Sequence, residues 1–275
     1  MRHCRWGLGA GAIITGAALV ACGHGGSAGQ PNPTNTATPA KVLTAAYAKT
    51  TGSGTAKIDL TGQLQTTVNG RPATVPITAH GVIDFANKAT DLNESISGAA
   101  NDITETRYLN GMLYQRIPQQ VSAFADGRHW IAIDVNQMAS KQGGSGLGQL
   151  LAGAPTDPSN LMVYLAAVEG QVKTVGPDTV DGVPTTHYDA TIDLDKVAAL
   201  DPAAASTTKQ LEQEIGSNSL PVQLWVDQQN RLRKIGVDEQ GGGLHATFAV
   251  TLSDYGTPVD VIAPPANDTD NLTNK

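Results

Sequence analysis

The chain has 275 residues, enough for one large domain or two small ones and for a sizeable hydrophobic core. Aromatic residues make up only 4% of it while Ala, Thr, Gly and Val dominate, so the core must be assembled from small and β-branched side chains, a composition that favours sheet over helix. The formal charge is −7, and from Cys22 onward 16 basic residues stand against 25 acidic ones, so no basic stripe exists to neutralise phosphates and a nucleic-acid partner is excluded.

The first residues, Met1-Arg-His-Cys-Arg5, form a short positive region, and Trp6 to Ala18 is an apolar run broken by Gly7, Gly9, Gly11 and Gly16. That run is too short and too rich in glycine for a stable membrane span and reads as the core of a signal peptide covering 1–21. Leu19-Val20-Ala21-Cys22 resembles the lipobox of bacterial lipoproteins. The resemblance implies cleavage before Cys22 and acylation of its thiol, so Cys22 is the expected lipidation site and the chain's contact with the membrane. Two or three acyl chains, at ~0.8 kcal/mol per buried CH₂, anchor where one would not. Residues 22–38 then read as the lipidated cysteine and a Pro-punctuated flexible tether. Gly25-Gly-Ser27-Ala-Gly29 matches G-x-S-x-G, but it lacks the strand before and the helix after that a nucleophile elbow needs. Cys4 and Cys22 are the only cysteines, which leaves the body without a disulfide or a Cys-based metal site.

A domain is expected over 39–262. Thr38-Pro39 is an N-cap followed by proline at the first helical position, and Leu43, Ala46, Tyr47 and Thr50 share one face before Gly52-Ser-Gly54. From Thr55 the period becomes two. Ile58, Leu60, Leu64 and Val68 alternate with polar residues, Asn69-Gly70 supplies a hairpin turn, and Val75, Ile77, Ala79, Ile83 and Phe85 share the parity of the return strand. Further strands are predicted at 90–96, 102–109, 112–117 and 129–135, the second and third of these joined by Asn110-Gly111. The stretch 136–156 is unusually long and rich in glycine for a loop in a compact domain. Asp157-Pro158 restarts a helix, with Leu161, Tyr164, Leu165 and Val168 at i, i+3, i+4 and i+7. Strands at 171–179 and 185–194 flank Asp181-Gly182, a short helix is predicted at 206–215, and strands at 221–227, 231–239 and 244–255 follow. The tail at 263–275 is polar and expected to be disordered. About eleven strands with tight links define an α+β class, a large curved antiparallel sheet with two or three helices on one face.

The chemistry of the body is sparse. His80, His129, His187 and His245 each stand alone, with no spacing that suggests a metal site, and no phosphate-binding loop is present. Asp193, Asp195 and Asp201 read as helix-capping or solvated charges. No catalytic residue, no metal and no cofactor is expected, and the chain is not expected to be an enzyme. Small side chains beneath helices are compatible either with a persistent cavity or with a tightly packed core, and composition does not separate the two.

Four stretches, "YLNGMLYQRI", "HWIAIDV", "VGPDTVDGVPTTHYDATIDLDKV" and "LPVQLWVDQQNRLRKI", occur in that order behind the lipobox. Together they resemble the LppX/LprG-like lipoproteins of actinobacteria, which are similar in fold to the carrier LolA, and the resemblance spans Thr38 to Pro258. It implies a half-barrel with helices on its concave face, an apolar cavity between them, and a lipid or glycolipid ligand that is moved across the envelope, with a membrane transporter as a candidate partner. The location implied is the cell membrane, lipid-anchored and facing the extracytoplasmic side. With the parities above, the expected ligand-binding residues are Leu60, Leu64, Ile77, Ile83 and Phe85 on the sheet and Leu161, Tyr164 and Leu165 on the helix. The alternative is an envelope interaction or sensor domain with a closed core.

Overall fold

In a computed structural model, which describes residues 38–68, 71–95, 103–117, 127–135, 163–239 and 245–272, the domain opens on α1 (Pro39–Thr51). Extended Thr38 leads into Pro39, whose fixed φ suits the first turn, and the helix stops where the Gly52 N–H bonds back to the Ala48 carbonyl at 2.9 Å. Val42, Leu43, Ala46 and Thr50 are its buried side. Tyr47, expected on that face, is 38% exposed. The Thr50 hydroxyl accepts the backbone N–H of Leu232 at 2.9 Å, which ties the end of the helix to the sheet.

Strands β1 (Thr55–Val68), β2 (Arg71–Asp84), β3 (Ala89–Ser95), β4 (Thr104–Leu109), β5 (Met112–Arg116) and β6 (Trp130–Asp134) follow as a meander. Then come β7 (Val168–Val180) and β8 (Val183–Asp193), the helices α2 (Leu194–Leu200) and α3 (Ala205–Ile215), and β9 (Ser219–Asp227), β10 (Leu232–Glu239), β11 (His245–Ser253) and β12 (Thr269–Asn271). All twelve strands belong to one open curved sheet in the order β12-β6-β5-β4-β3-β2-β1-β11-β10-β9-β8-β7. Every pairing is antiparallel except that of β12 with β6, which is parallel.

The hairpin signals act as their chemistry requires. Asn110-Gly111 and Asp181-Gly182 have φ of 54° and 76°, and of 49° and 77°, the left-handed pair that matches the twist of the strands they join. Asn69-Gly70 lies outside the described residues, but Val68 opposes Arg71 directly, the register of a two-residue turn.

Three departures from the sequence reading have physical causes. Val168 opens β7, pairing with Ile192, and only 163–166 of the expected preceding helix are described as helical. Residues 194–200 form a helix where the sequence suggested the end of a strand and a loop, because the Asp193 carboxylate accepts the Lys196 N–H at 3.0 Å and caps it. Asp193 is thus the capping charge expected of it. Third, residues 266–271 of the supposed disordered tail are ordered and supply the twelfth strand. Asp268 meets the His129 ring at 2.8 Å, and Asp270, 2% exposed, accepts from Arg128 at 3.0 Å. Polar partners fix this segment.

Candidate functional site

Antiparallel register puts directly opposed residues on the same face, so the inner face can be read row by row. One row runs Tyr188, Leu224, Ile235, Val250, Leu60, Ala79, Glu94, Thr104 from β8 to β4. The next runs Leu252, Ile58, Gly81, Leu92, Thr106, Gln115, Ile131 from β11 to β6. A third runs Ala56, Ile83, Thr90, Tyr108, Leu113, Ile133.

Helices cover one half of this face. Val42, Leu43 and Ala46 of α1, Leu194 and Val197 of α2, and Leu211 and Ile215 of α3 join the inward residues of β1 and β8–β11 in a single core, which reaches Ile83 of β2 and ends at Leu92 of β3. Two glycines let this sheet close up on itself. A Cβ on Gly62 would stand 2.2 Å from the Phe248 ring, and one on Gly81 would stand 2.0 Å from the Asp91 carbonyl oxygen.

Beyond Leu92 the inner face changes. Leu113, Ile131 and Ile133 are only half-buried, and none of them belongs to the core. Among them stand Thr104, Thr106 and Gln115, and at the border stands Glu94. The Glu94 carboxylate accepts one hydrogen bond, from the Thr106 hydroxyl at 3.3 Å. Burial holds its pKa above the usual carboxylate range, and that bond offsets the effect only in part. No charged side chain among the described residues stands against it. Arg107, on the neighbouring strand, points to the outer face, where it binds Asp91 and Glu105 and lies over the Trp130 ring at 5.0 Å. Trp225 is likewise an outer-face residue, stacked on His187 at 4.3 Å beneath Lys234.

A cleft of about 590 Å³ lies at the opposite end of the sheet, between α1 and β7. Its apolar wall is Leu43, Leu165, Val168 and Val172, and Tyr47 and Lys196 also line it.

The residues expected to bind ligand separate into groups. Leu60 and Ile83 are 2% and 0% exposed and pack inside the core. Leu64, Ile77 and Phe85 are half-buried against its edge, with Leu64 opposite Val75 and Ala246 and Ile77 opposite Gly62. Tyr164 and Leu165 are both buried in the core, and Leu165 also lines the cleft. Burial, with Asp201 adding to it, pushes the Tyr164 phenol well above its ordinary range. Leu161 and Cys22 lie outside the described residues. The sequence reading did not single out the inward side chains of β4–β6, nor Val172 and Tyr47 of the cleft. The parity of Ile131 and Ile133 against Trp130 was the available signal for the first group.

Among the described residues no three His, Cys, Asp or Glu side chains could hold a metal ion, and no helix is long and apolar enough to cross a membrane. His129 meets the Asp268 carboxylate at 2.8 Å on the exposed seam between β6 and β12.

Several known proteins resemble the chain. A 31.2 kDa protein encoded in the rplA–rplJ intergenic region of Streptomyces griseus is 28% identical over 246 residues, covering 85% of this chain and 79% of the relative. LprF of Mycobacterium bovis is similar at 16% identity and a TM-score of 0.46, covering 82% of this chain and 97% of LprF. LppX of Mycobacterium tuberculosis is similar at 14% identity and a TM-score of 0.47, covering 82% and 100%. The family model described as LppX_LprAFG lipoprotein matches residues 38–261. The match takes in nearly every strand and helix of the sheet domain, and the chain belongs to the LppX_LprAFG lipoprotein family.

Proposed function

We propose that this lipoprotein holds a lipid or glycolipid by its acyl tails against the inner face of the sheet, anchored through acylated Cys22 on the extracytoplasmic side of the cell membrane. The observation that carries this reading is the inner face of β4–β6, where Leu113, Ile131 and Ile133 stay half-buried after the packed core has ended. An acyl chain laid there gains ~0.8 kcal/mol for each CH₂ it withdraws from water. The cleft beside α1 is a second apolar wall of suitable size, within the range of small-molecule sites. Nothing in these residues supplies energy, so directed movement across the envelope would come from a partner such as a membrane transporter.

Native mass spectrometry of the full chain tests the ligand. Adducts of lipid mass, or uptake of an offered phospholipid or glycolipid, are expected, and apo masses alone after such an offer would overturn the reading. For the anchor, Cys22→Ala should release the protein from the membrane fraction; unchanged fractionation would refute it. The alternative, an interaction or sensor domain with a closed core, draws on the complete burial of Ile83, Leu92 and Leu224. It requires the same mass experiment to show no uptake.

A further inference from the structure

Resting on the lipid-binding reading above, we propose that Glu94 is the recognition point for a primary ammonium group on the ligand's headgroup. Four observations lead there. The first is placement. Glu94 opposes Ala79, a core residue, on one side and Thr104 on the other, so its side chain belongs to the inner face, where the apolar row Leu60–Ala79 stops.

The second is incomplete satisfaction. A carboxylate has about four lone-pair sites, and the Thr106 hydroxyl, at 3.3 Å, takes one of them weakly. The third is charge. A partly buried carboxylate is costly unless a cation accompanies it, and among the described residues none does. Among the described residues Glu94 therefore has one weak donor and no positive charge beside it, and a primary ammonium brings three donors together with that charge. Hydrogen bonds to an ionised partner are about twice as strong as neutral ones, so a hydroxyl headgroup would satisfy the geometry but leave the charge uncompensated. A quaternary choline brings the charge but no donor.

The fourth is the setting. Thr106 faces Gln115 across the β4–β5 pair, and Ile131 lies beyond it. A polar station and an apolar track are thus adjacent on the same face, as an amphiphile with a small cationic head requires.

The test uses the full chain in non-ionic detergent with three probes that carry the same fluorescent acyl chain: phosphatidylethanolamine, phosphatidylcholine and phosphatidylglycerol. The expected result is binding of phosphatidylethanolamine about tenfold tighter than of phosphatidylcholine, with phosphatidylglycerol weaker than both. Glu94→Gln should bring the first two within about twofold, with the larger loss falling on phosphatidylethanolamine. Glu94→Asp, which keeps the charge, should retain part of the preference. Equal binding of ethanolamine and choline probes by the unaltered chain would overturn the proposal while leaving lipid binding intact, and so would tighter binding of phosphatidylglycerol or a preference that survives Glu94→Gln. Failure to bind any probe would overturn the proposal, while lipid binding itself stands or falls on the mass experiment above.

Discussion

From β8 to β2 the inward side chains of one row are Tyr188, Leu224, Ile235, Val250, Leu60 and Ala79, all buried, whereas the next two strands put Glu94 and Thr104 on the same line. The first half of the sheet lies beneath α1, α2 and α3 and behaves as an ordinary core, in which volume and shape are fixed by close packing. The second half buries Tyr108 but keeps Leu113, Ile131 and Ile133 half-buried and mixes hydroxyl, amide and carboxyl groups among them. One continuous hydrogen-bonded sheet therefore serves two purposes, with stability concentrated at β8–β11 and adaptable surface at β4–β6. The lesson is that burial along a strand does not mark a binding face. The fully buried residues of this sheet are its least available ones.

Mutations can test how sharp the division is. The largest effect is expected from Leu224→Ala, at a residue 0% exposed, which should cost about 2–5 kcal/mol. Leu113→Ala, half-buried on β5, should cost about 1 kcal/mol. Urea denaturation of both would show whether the halves differ, and equal losses would abolish the distinction. Next, Asp270→Ala removes a buried charge-assisted partner of Arg128 and should cost about 1.5–3 kcal/mol, read as a lower melting temperature. Gly81→Ala sits at the border itself, where its new Cβ meets the Asp91 carbonyl oxygen, and should cost about 1–3 kcal/mol by the same melting assay. An unchanged midpoint would mean that β2 and β3 can separate there without penalty.

The smallest effect has the opposite sign. The pKa of Glu94 is raised by burial, so the folded chain holds that proton more tightly than the unfolded one. The contribution of Glu94 to stability is fully present below its unfolded value and is lost as pH rises through its raised folded value. Glu94→Gln should therefore be slightly more stable than the unaltered chain at neutral pH and should flatten this part of the pH profile. A variant less stable at neutral pH would show that the carboxylate is already compensated.

Much of this arrangement was legible in the sequence because it rests on local rules. The two-residue alternation of β1 and β2 placed Leu60, Leu64, Ile77 and Ile83 on one face, and the Asn-Gly and Asp-Gly pairs marked the tight links. What alternation could not supply was depth. Leu60 and Leu64 have the same parity, yet one is sealed and the other lies at the edge of the core, because helices distant in sequence cover the first. Glu94 shares the parity of Leu92, so its inward direction was readable, but a lone acid in "DLNES" looks like a solvated charge until its neighbours are known. The ordered tail was less readable still. Thr269-Asp-Asn271 has no apolar alternation, and the partners Arg128 of Asp270 and His129 of Asp268 are fixed only by the fold.

That tail has a consequence for how copies of this protein behave at high concentration. An open sheet has two borders, and each can template the addition of a neighbour's strand. At one border β7 is irregular, with register shifts on either side of Lys173 and with Pro177, which has no N–H to offer. At the other, β12 covers β6 with a strand of three residues, too short to recruit another. The strand Thr269–Asn271 thus acts as a guard against polymerisation, and a chain trimmed before Thr269 would present β6 to its neighbours.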